Sequence, residues 1–239
     1  AIVDVRSPHE FAAGHITGAR SAPLFDNDER ARVGTTYKFN GHDSAVALGM
    51  SLVRPRLSAL LHAIRDAAAA SATAEGAPTV GIYCWRGGMR SGSVRWLLGL
   101  HGVRAHVLDG GYKGFRAWVR DYWHGVALPP KRHAMTQKER DAAGSSTDGQ
   151  IPPDVVAAAR ALPGPRVCVI GGRTGVGKTR VLLALRYVYA RHVLDLEGLA
   201  NHRGSTFGWV GARDGGQPSS EQYSNDVALA WRRIARHDG

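Results

Sequence analysis

Cysteine is almost absent from this sequence: Cys84 and Cys168 are the 2 thiols in 239 residues. Two thiols cannot staple a disulfide scaffold or complete a four-thiolate metal site. No run of about 18 apolar residues occurs, so no membrane-crossing helix is expected; the quietest stretch, Ala67–Ala74, is merely alanine-rich. No secretory signal pattern and no internal repeat are present. Together these absences predict a soluble protein of a reducing compartment, cytoplasmic and without a membrane partner. Acidic residues are also short, 20 Asp+Glu against 31 Lys+Arg, for a net charge of +11. A cationic excess invites a polyanion, because clustered cations release counterions from a nucleic-acid backbone. The excess is mostly arginine in an Ala/Gly/Arg-rich chain and is spread over both halves, which a biased composition produces equally well. Charge alone leaves both readings open. The 44% hydrophobic content excludes wholesale disorder, and the length fits one large or two small domains.

The first half alternates strand and helix signals. Ala1–Val5, Thr79–Tyr83 and Ala105–Leu108 read as strands; Asp43–Leu52, the stretch from Pro55 to Ala70, Ser91–Leu100 and Lys113–Trp123 read as helices. Such alternation predicts a parallel α/β sheet. Residues 129–153 break it, with Pro-Pro pairs around Gly144-Ser145-Ser146-Thr147-Asp148-Gly149, and read as a linker. A second α/β unit is expected over 154–239: helices Val155–Leu162, Lys178–Tyr189 and Ser219–Arg236, and strands Arg166–Ile170 and His192–Leu196. Two strands are too few for a stable sheet covered on both faces. With no initial methionine and a start inside a strand, the chain reads as clipped at its N-terminus and unfinished at its C-terminus.

Within Tyr83-Cys84-Trp85-Arg86-Gly87-Gly88-Met89-Arg90-Ser91, a strand delivers Cys84 to its end and Arg90 opens a helix five residues on. The Cys-x5-Arg spacing bends the backbone around the sulfur so that N–H groups point inward at an anion. Gly87 and Gly88 permit the backbone angles this needs. The helix N-terminus, Arg86 and Arg90 favour thiolate over thiol, which makes Cys84 a candidate nucleophile. The loop alone does not separate a sulfur carrier from a phosphatase. Cys168, between β-branched neighbours in Arg166–Ile170, is expected to pack as a small apolar side chain.

Gly172-Arg173-Thr174-Gly175-Val176-Gly177-Lys178-Thr179 satisfies the phosphate-binding pattern G-x-x-x-x-G-K-[ST], with an apolar run before it and a helical pattern after it. Backbone N–H groups around Gly172, Gly175 and Gly177 would wrap a phosphate or diphosphate. Lys178 supplies a point charge and the Thr179 hydroxyl a ligand for Mg²⁺. Asp195 is either a second magnesium carboxylate or a helix-capping or turn aspartate.

Asp4-Val5-Arg6-Ser7-Pro8-His9-Glu10-Phe11 with Gly14-His15-Ile16-Thr17-Gly18-Ala19 resembles the opening signature of rhodanese domains, and Leu108-Asp109-Gly110-Gly111-Tyr112-Lys113-Gly114-Phe115 their closing signature. The resemblance implies a rhodanese-like parallel-sheet domain over 1–128 whose Cys84 carries sulfur or selenium, followed by a P-loop NTPase-like domain. Val33–Lys38, Leu48–Val53, the Cys84–Ser91 loop, Asp195–Ser205, Phe207-Gly208 and Gln217-Pro218-Ser219 further resemble the tRNA 2-selenouridine synthase family. That resemblance implies S-geranylation of a wobble 2-thiouridine from geranyl diphosphate, then replacement of the geranylthio group by selenium from selenophosphate. Cys84, Arg86 and Arg90 would then serve selenium, and the P-loop a diphosphate with Mg²⁺. The +11 charge becomes a tRNA footprint, with His202 and Arg203 as contacts. Two alternatives stand beside it: a rhodanese-type sulfurtransferase with a regulatory nucleotide-binding P-loop, and a non-catalytic basic tRNA-binding adaptor.

Overall fold

The computed structural model describes residues 1–70, 79–125, 167–173, 175–202 and 216–237. The expected linker at 129–153, the helix at 155–162, Thr174 and Arg203 lie outside them. Two compact units emerge: Ala1–Arg120 with Gln217–Asp226, and Asp121–Gly216 with Val227–Gly239. Residues 217–226 thus join the first unit, although sequence order put them with the P-loop.

The first unit is built on β1 (Ile2–Asp4), β2 (Arg20–Ser21), β3 (Thr79–Tyr83) and β4 (Arg104–Val107), all parallel in the order β2-β1-β3-β4. Val3 pairs with Ile82 and Val80 with Ala105, so apolar residues run unbroken through the sheet centre. Val3, Val80 and Ile82 are fully buried, as expected of parallel strands covered on both faces. The connecting helices are α1 (Pro8–Ala13), α2 (Asn27–Val53), α3 (Leu57–Ala69), α4 (Met89–Leu100) and α5 (Gly111–Gly125), with a 3₁₀ turn at Arg54–Arg56. Helix α3 buries Leu60, Leu61, Ile64, Ala67 and Ala68, one helical stripe against the sheet. Helix α2 begins well before the expected Asp43. Its start is announced by a capping box in which Asp26 accepts from the Glu29 N–H and Glu29 from the Asp26 N–H. It bends at Gly41, whose φ of +84° lies where side chains are disfavoured.

In the second unit, helices α6 (Lys178–Tyr187) and α7 (Leu196–Leu199) are described; α8 (Ser220–His237) starts in the first unit and ends in the second. The strands expected at 166–170 and 192–196 do not form among the described residues. Val169 is 81% exposed and Cys168 is exposed rather than packed. Among the described residues this segment finds no ladder to join, and so its β-branched residues gain nothing from their propensity.

Beneath the C-terminal edge of the sheet lies a buried ion pair. Arg6 and Asp4 are 1% and 0% exposed, and Arg6 Nη2 donates to Asp4 Oδ2 at 2.6 Å. Its Nε also donates to both carboxylate oxygens at 3.0 Å, and Nη2 to Gly14 O at 2.7 Å. Asp4→Ala leaves a buried guanidinium without its anion and is expected to cost about 3–5 kcal/mol. Urea denaturation should show this loss, and Asp4→Ala with Arg6→Met should recover much of it.

Candidate active site and phosphate loop

Strand β3 ends at Tyr83, and Cys84 follows at the C-terminal edge of the sheet, where parallel folds place their ligands. Cys84 is only 3% exposed. Burial alone pushes its thiol up, because a buried thiolate loses its water. The opposing interactions win: the Ser91 hydroxyl, the N–H groups of Ser91 and Arg86 and the Arg90 charge hold Cys84 below the ordinary thiol range. The Ser91 Oγ lies 3.2 Å from both Cys84 Sγ and Gly88 O. Its single proton can serve either, and the thiolate is the stronger claimant.

Arg86 contributes its backbone N–H, while its side chain is exposed. The Arg90 guanidinium is shared with Glu10, Nη1 donating to Oε2 at 2.9 Å. Burial pushes the Glu10 carboxyl up, but Arg90, the Ser7 N–H and Arg30 bring it below the usual range. Glu10 also closes the α1 capping box with Ser7. The opening signature thereby fixes the arginine of the cysteine loop.

The segment after β4 closes the loop from the other side. Tyr112 N donates to Cys84 O at 2.9 Å and Lys113 N to Trp85 O at 2.8 Å. A Cβ on Gly111, whose φ is +57°, would lie 2.3 Å from Gly87 N and 2.4 Å from Cys84 O. Glycine at 111 is therefore a condition of the close approach. Arg6 lies 3.7 Å from the centre of the Tyr112 ring. Tyr112 Oη donates to Glu221 at 2.8 Å and accepts from the buried Asn225 at 2.9 Å, so the start of α8 belongs to this support. Sequence reasoning missed Ser91, Glu10 and residues 217–226. Ser91 was signalled by a hydroxyl directly after the loop arginine, and Glu10 by the Ser7-x-x-Glu10 capping pattern.

The second loop is distinct in chemistry. Gly172, Gly175 and Gly177 have φ of +146°, +84° and +89°, and Gly177 is the N-cap of α6. Lys178 Nζ donates to Gly172 O at 2.9 Å and Arg173 O at 3.0 Å, curling over the loop it serves. Thr179 is the second residue of α6. Asp195 does not end a strand: it caps α7, its Oδ1 accepting from Gly198 N at 2.9 Å. The capping reading therefore describes it. Among the described residues no group of three or more His, Cys, Asp or Glu could hold a metal ion. One hydroxyl at a phosphate loop does fit a cation that the ligand's own phosphates bring along. His202 N donates to Glu197 O at 3.0 Å, directly after α7.

A cysteine cradled at the edge of a parallel sheet and closed by a glycine-dependent second segment fits a rhodanese-like domain, and the rhodanese-like domain model matches residues 1–117. Residues 165–239 match the tRNA 2-selenouridine synthase AAA domain. Proteins named tRNA 2-selenouridine synthase are similar over nearly the whole chain. That of Hydrogenovibrio crunogenus is 35% identical over 98% of this chain and 53% of the relative. Those of Pseudomonas putida (35%, 95% of this chain and 49% of the relative) and Marinobacter nauticus (34%, 99% and 51%) agree. The chain belongs to the tRNA 2-selenouridine synthase family, an α/β protein with a rhodanese-like domain before a P-loop domain. It spans about half the length of the curated relatives it matches.

The balance at Cys84 sets a pH prediction. A thiol held below its ordinary value of about 8.5 ionises earlier as pH rises. In a Cys168→Ser background, the iodoacetamide rate at Cys84 should have its pH midpoint below that of a free cysteine peptide. Ser91→Ala should move that midpoint upward by about one unit, the worth of one hydrogen bond to a charged group.

Proposed function

We propose that this chain belongs to a cytoplasmic tRNA-modifying transferase that converts wobble 2-thiouridine to 2-selenouridine, and that its two loops divide the work. The observation that carries the reading is the pairing, in one chain of this family, of a depressed, cradled Cys84 with a glycine-turned loop crowned by Lys178. In the first step the tRNA sulfur attacks C1 of geranyl diphosphate, the carbon–oxygen bond breaks, diphosphate leaves and the base gives up its N3 proton. Loop N–H groups and Lys178 stabilise the departing diphosphate, which is what an allyl transfer needs. A Mg²⁺ ion held by Thr179 and the diphosphate would add charge to the same end, with Asp195, whose Oδ1 caps α7, as the proposed carboxylate partner.

In the second step the C2–sulfur bond to the geranylthio group breaks and a C2–selenium bond forms. Geranylthiol departs, the Se–P bond of selenophosphate goes to water as phosphate, and one proton returns to N3. No oxidant or reductant is required. The loop of Cys84, Arg86 and Arg90 takes the selenium donor, itself an anion, and presents its selenium to C2. The net charge of +11 suits a tRNA partner, and His202 and Arg203 are proposed contacts.

The test incubates full-length protein with 2-thiouridine tRNA, geranyl diphosphate and selenophosphate, followed by nucleoside mass spectrometry. Cys84→Ala should abolish selenium entry, by at least about a hundredfold, and leave geranylation intact. Lys178→Ala should lower geranylation by a comparable factor, and selenation of pre-geranylated tRNA should persist. Equal loss of both activities in both variants contradicts the division of labour. Nucleotide turnover and thiosulfate cyanolysis without any tRNA product would instead indicate the sulfurtransferase.

A further inference from the structure

Beside the cysteine loop the first unit carries a groove that neither step above has used. It lies between α2 and α4 and has a volume of about 850 Å³, within the range of small-molecule sites. Phe25, Val53 and Gly49 line it from the core side, and a Cβ on Gly49 would lie 3.1 Å from Phe25 Cζ, so glycine there leaves room. The outer lining is Tyr37, Met50, Met89 and Trp96, all strongly exposed. Large apolar side chains gathered round a groove and left in water mark a binding surface. The bend at Gly41 divides α2 so that Tyr37 comes from one arm and Met50 from the other. His42 Nε2 lies 3.2 Å from Met89 Sδ, joining the second arm to the first turn of α4.

Two features say what occupies it. Met89 and Arg90, which line the groove, follow directly on the Cys84 loop, and Arg90 also acts on the Cys84 sulfur. The groove and the Cys84 loop thus share a side chain. Whatever reaction centre approaches Cys84 has its nearest substituents beside this apolar surface. Arg54 and Arg90 also line it, which places cations where a polyanion carrying an apolar group would need them.

We infer that the groove is the seat of the prenyl chain of S-geranyl-2-thiouridine in tRNA, held while selenium is delivered from the Cys84 loop. The inference rests on the proposed two-step reaction. Selenium must bond to the carbon that carries the geranylthio group, so that ten-carbon chain has to lie beside the selenium site. A chain left in water would gain nothing from the enzyme, whereas burying it fixes the base and selects geranylated over unmodified tRNA. The rhodanese-like unit would thereby recognise the group that leaves as well as handle the group that enters.

The experiment uses full-length protein and chemically prepared anticodon stem-loops bearing S-geranyl-, S-methyl- or plain 2-thiouridine, so that no geranylation by the enzyme is needed. Binding is read by fluorescence anisotropy, and selenation by mass spectrometry after addition of selenophosphate. Wild type should bind the geranyl RNA at least about tenfold tighter than the other two, the gain of burying even two methylene-sized groups. Met50→Gln and Trp96→Gln, both uncharged changes at exposed positions, should erase that preference. Their affinity for the 2-thiouridine RNA and the pH profile of Cys84 alkylation should stay as in wild type. Leu100→Gln, an exposed substitution on α4 outside the groove, should keep the preference. Retention of the geranyl preference by both groove variants overturns the inference, as do equal affinities for all three RNAs in wild type. A shift from dimer to monomer in the groove variants, with the preference retained, identifies a second copy as the occupant and also overturns it. Loss of selenation on every RNA, with geranyl-selective binding intact and groove-dependent, counts against the proposed reaction and leaves the seat standing.

Discussion

The buried pair of Asp4 and Arg6 is the constraint on which the active edge of the first unit depends. Taking two charges out of water is expensive, and such a pair rarely stabilises a fold more than an apolar replacement would. What it supplies here is position. Arg6 is bonded to Asp4 at the end of β1 and to Gly14 O after α1, and it lies against the rings of Tyr83 and Tyr112. Tyr83 is the last residue of the strand that delivers Cys84, and the Tyr112 N–H holds the Cys84 carbonyl. One guanidinium therefore registers the opening signature, the strand that delivers Cys84 and the closing signature against one another. Burial raises both tyrosine hydroxyls well above their ordinary range, so they act as neutral hydrogen-bonding groups. Ile16 N donates to Tyr83 Oη at 3.1 Å, while Tyr112 Oη meets Glu221 and Asn225.

The two loops cradle anions by different means. At Cys84 directed donors outweigh the cost of burying a charged sulfur and hold the thiol below its ordinary range. Gly87 and Gly111 let two backbones approach more closely than any Cβ would allow. At the phosphate loop the glycines instead take positive φ before a helix start, and Lys178 rests on the loop's own carbonyls. A charged ligand arriving there competes for Lys178 with neutral acceptors, an exchange that favours the ligand.

Both loops were legible in the sequence because each is a short stretch whose residue types dictate its own backbone. The glycine positions, the cysteine at a strand end and the lysine at a helix start need no distant partner to be recognised. The parallel sheet followed from the same alternation of runs that places Val3, Val80 and Ile82 at its centre, but its edge strand β2, two exposed residues long, has no apolar run to announce it. What failed depended on partners far along the chain. Val167–Ile170 carries a strand's composition, but a strand exists only through its neighbours, and Cys168 is exposed as a result. Asp195 could not be placed without knowing whether an extended run or a helix surrounded it, and it stands as the N-cap of α7. The move of residues 217–226 to the first unit rests on contacts such as Asn225 with His15 and Thr17 with Asp226, which no local pattern announces.

The role proposed for Cys84 is open to one direct measurement: protection of its thiol from alkylation by selenophosphate, in a Cys168→Ser background, followed by peptide mass spectrometry. Selenophosphate should protect Cys84 saturably, Lys178→Ala should leave that protection unchanged, and Arg90→Ala should weaken it. Cys84 alkylation unaffected by selenophosphate, or protection that disappears with Lys178 rather than with Arg90, would contradict a selenium site in the cysteine loop.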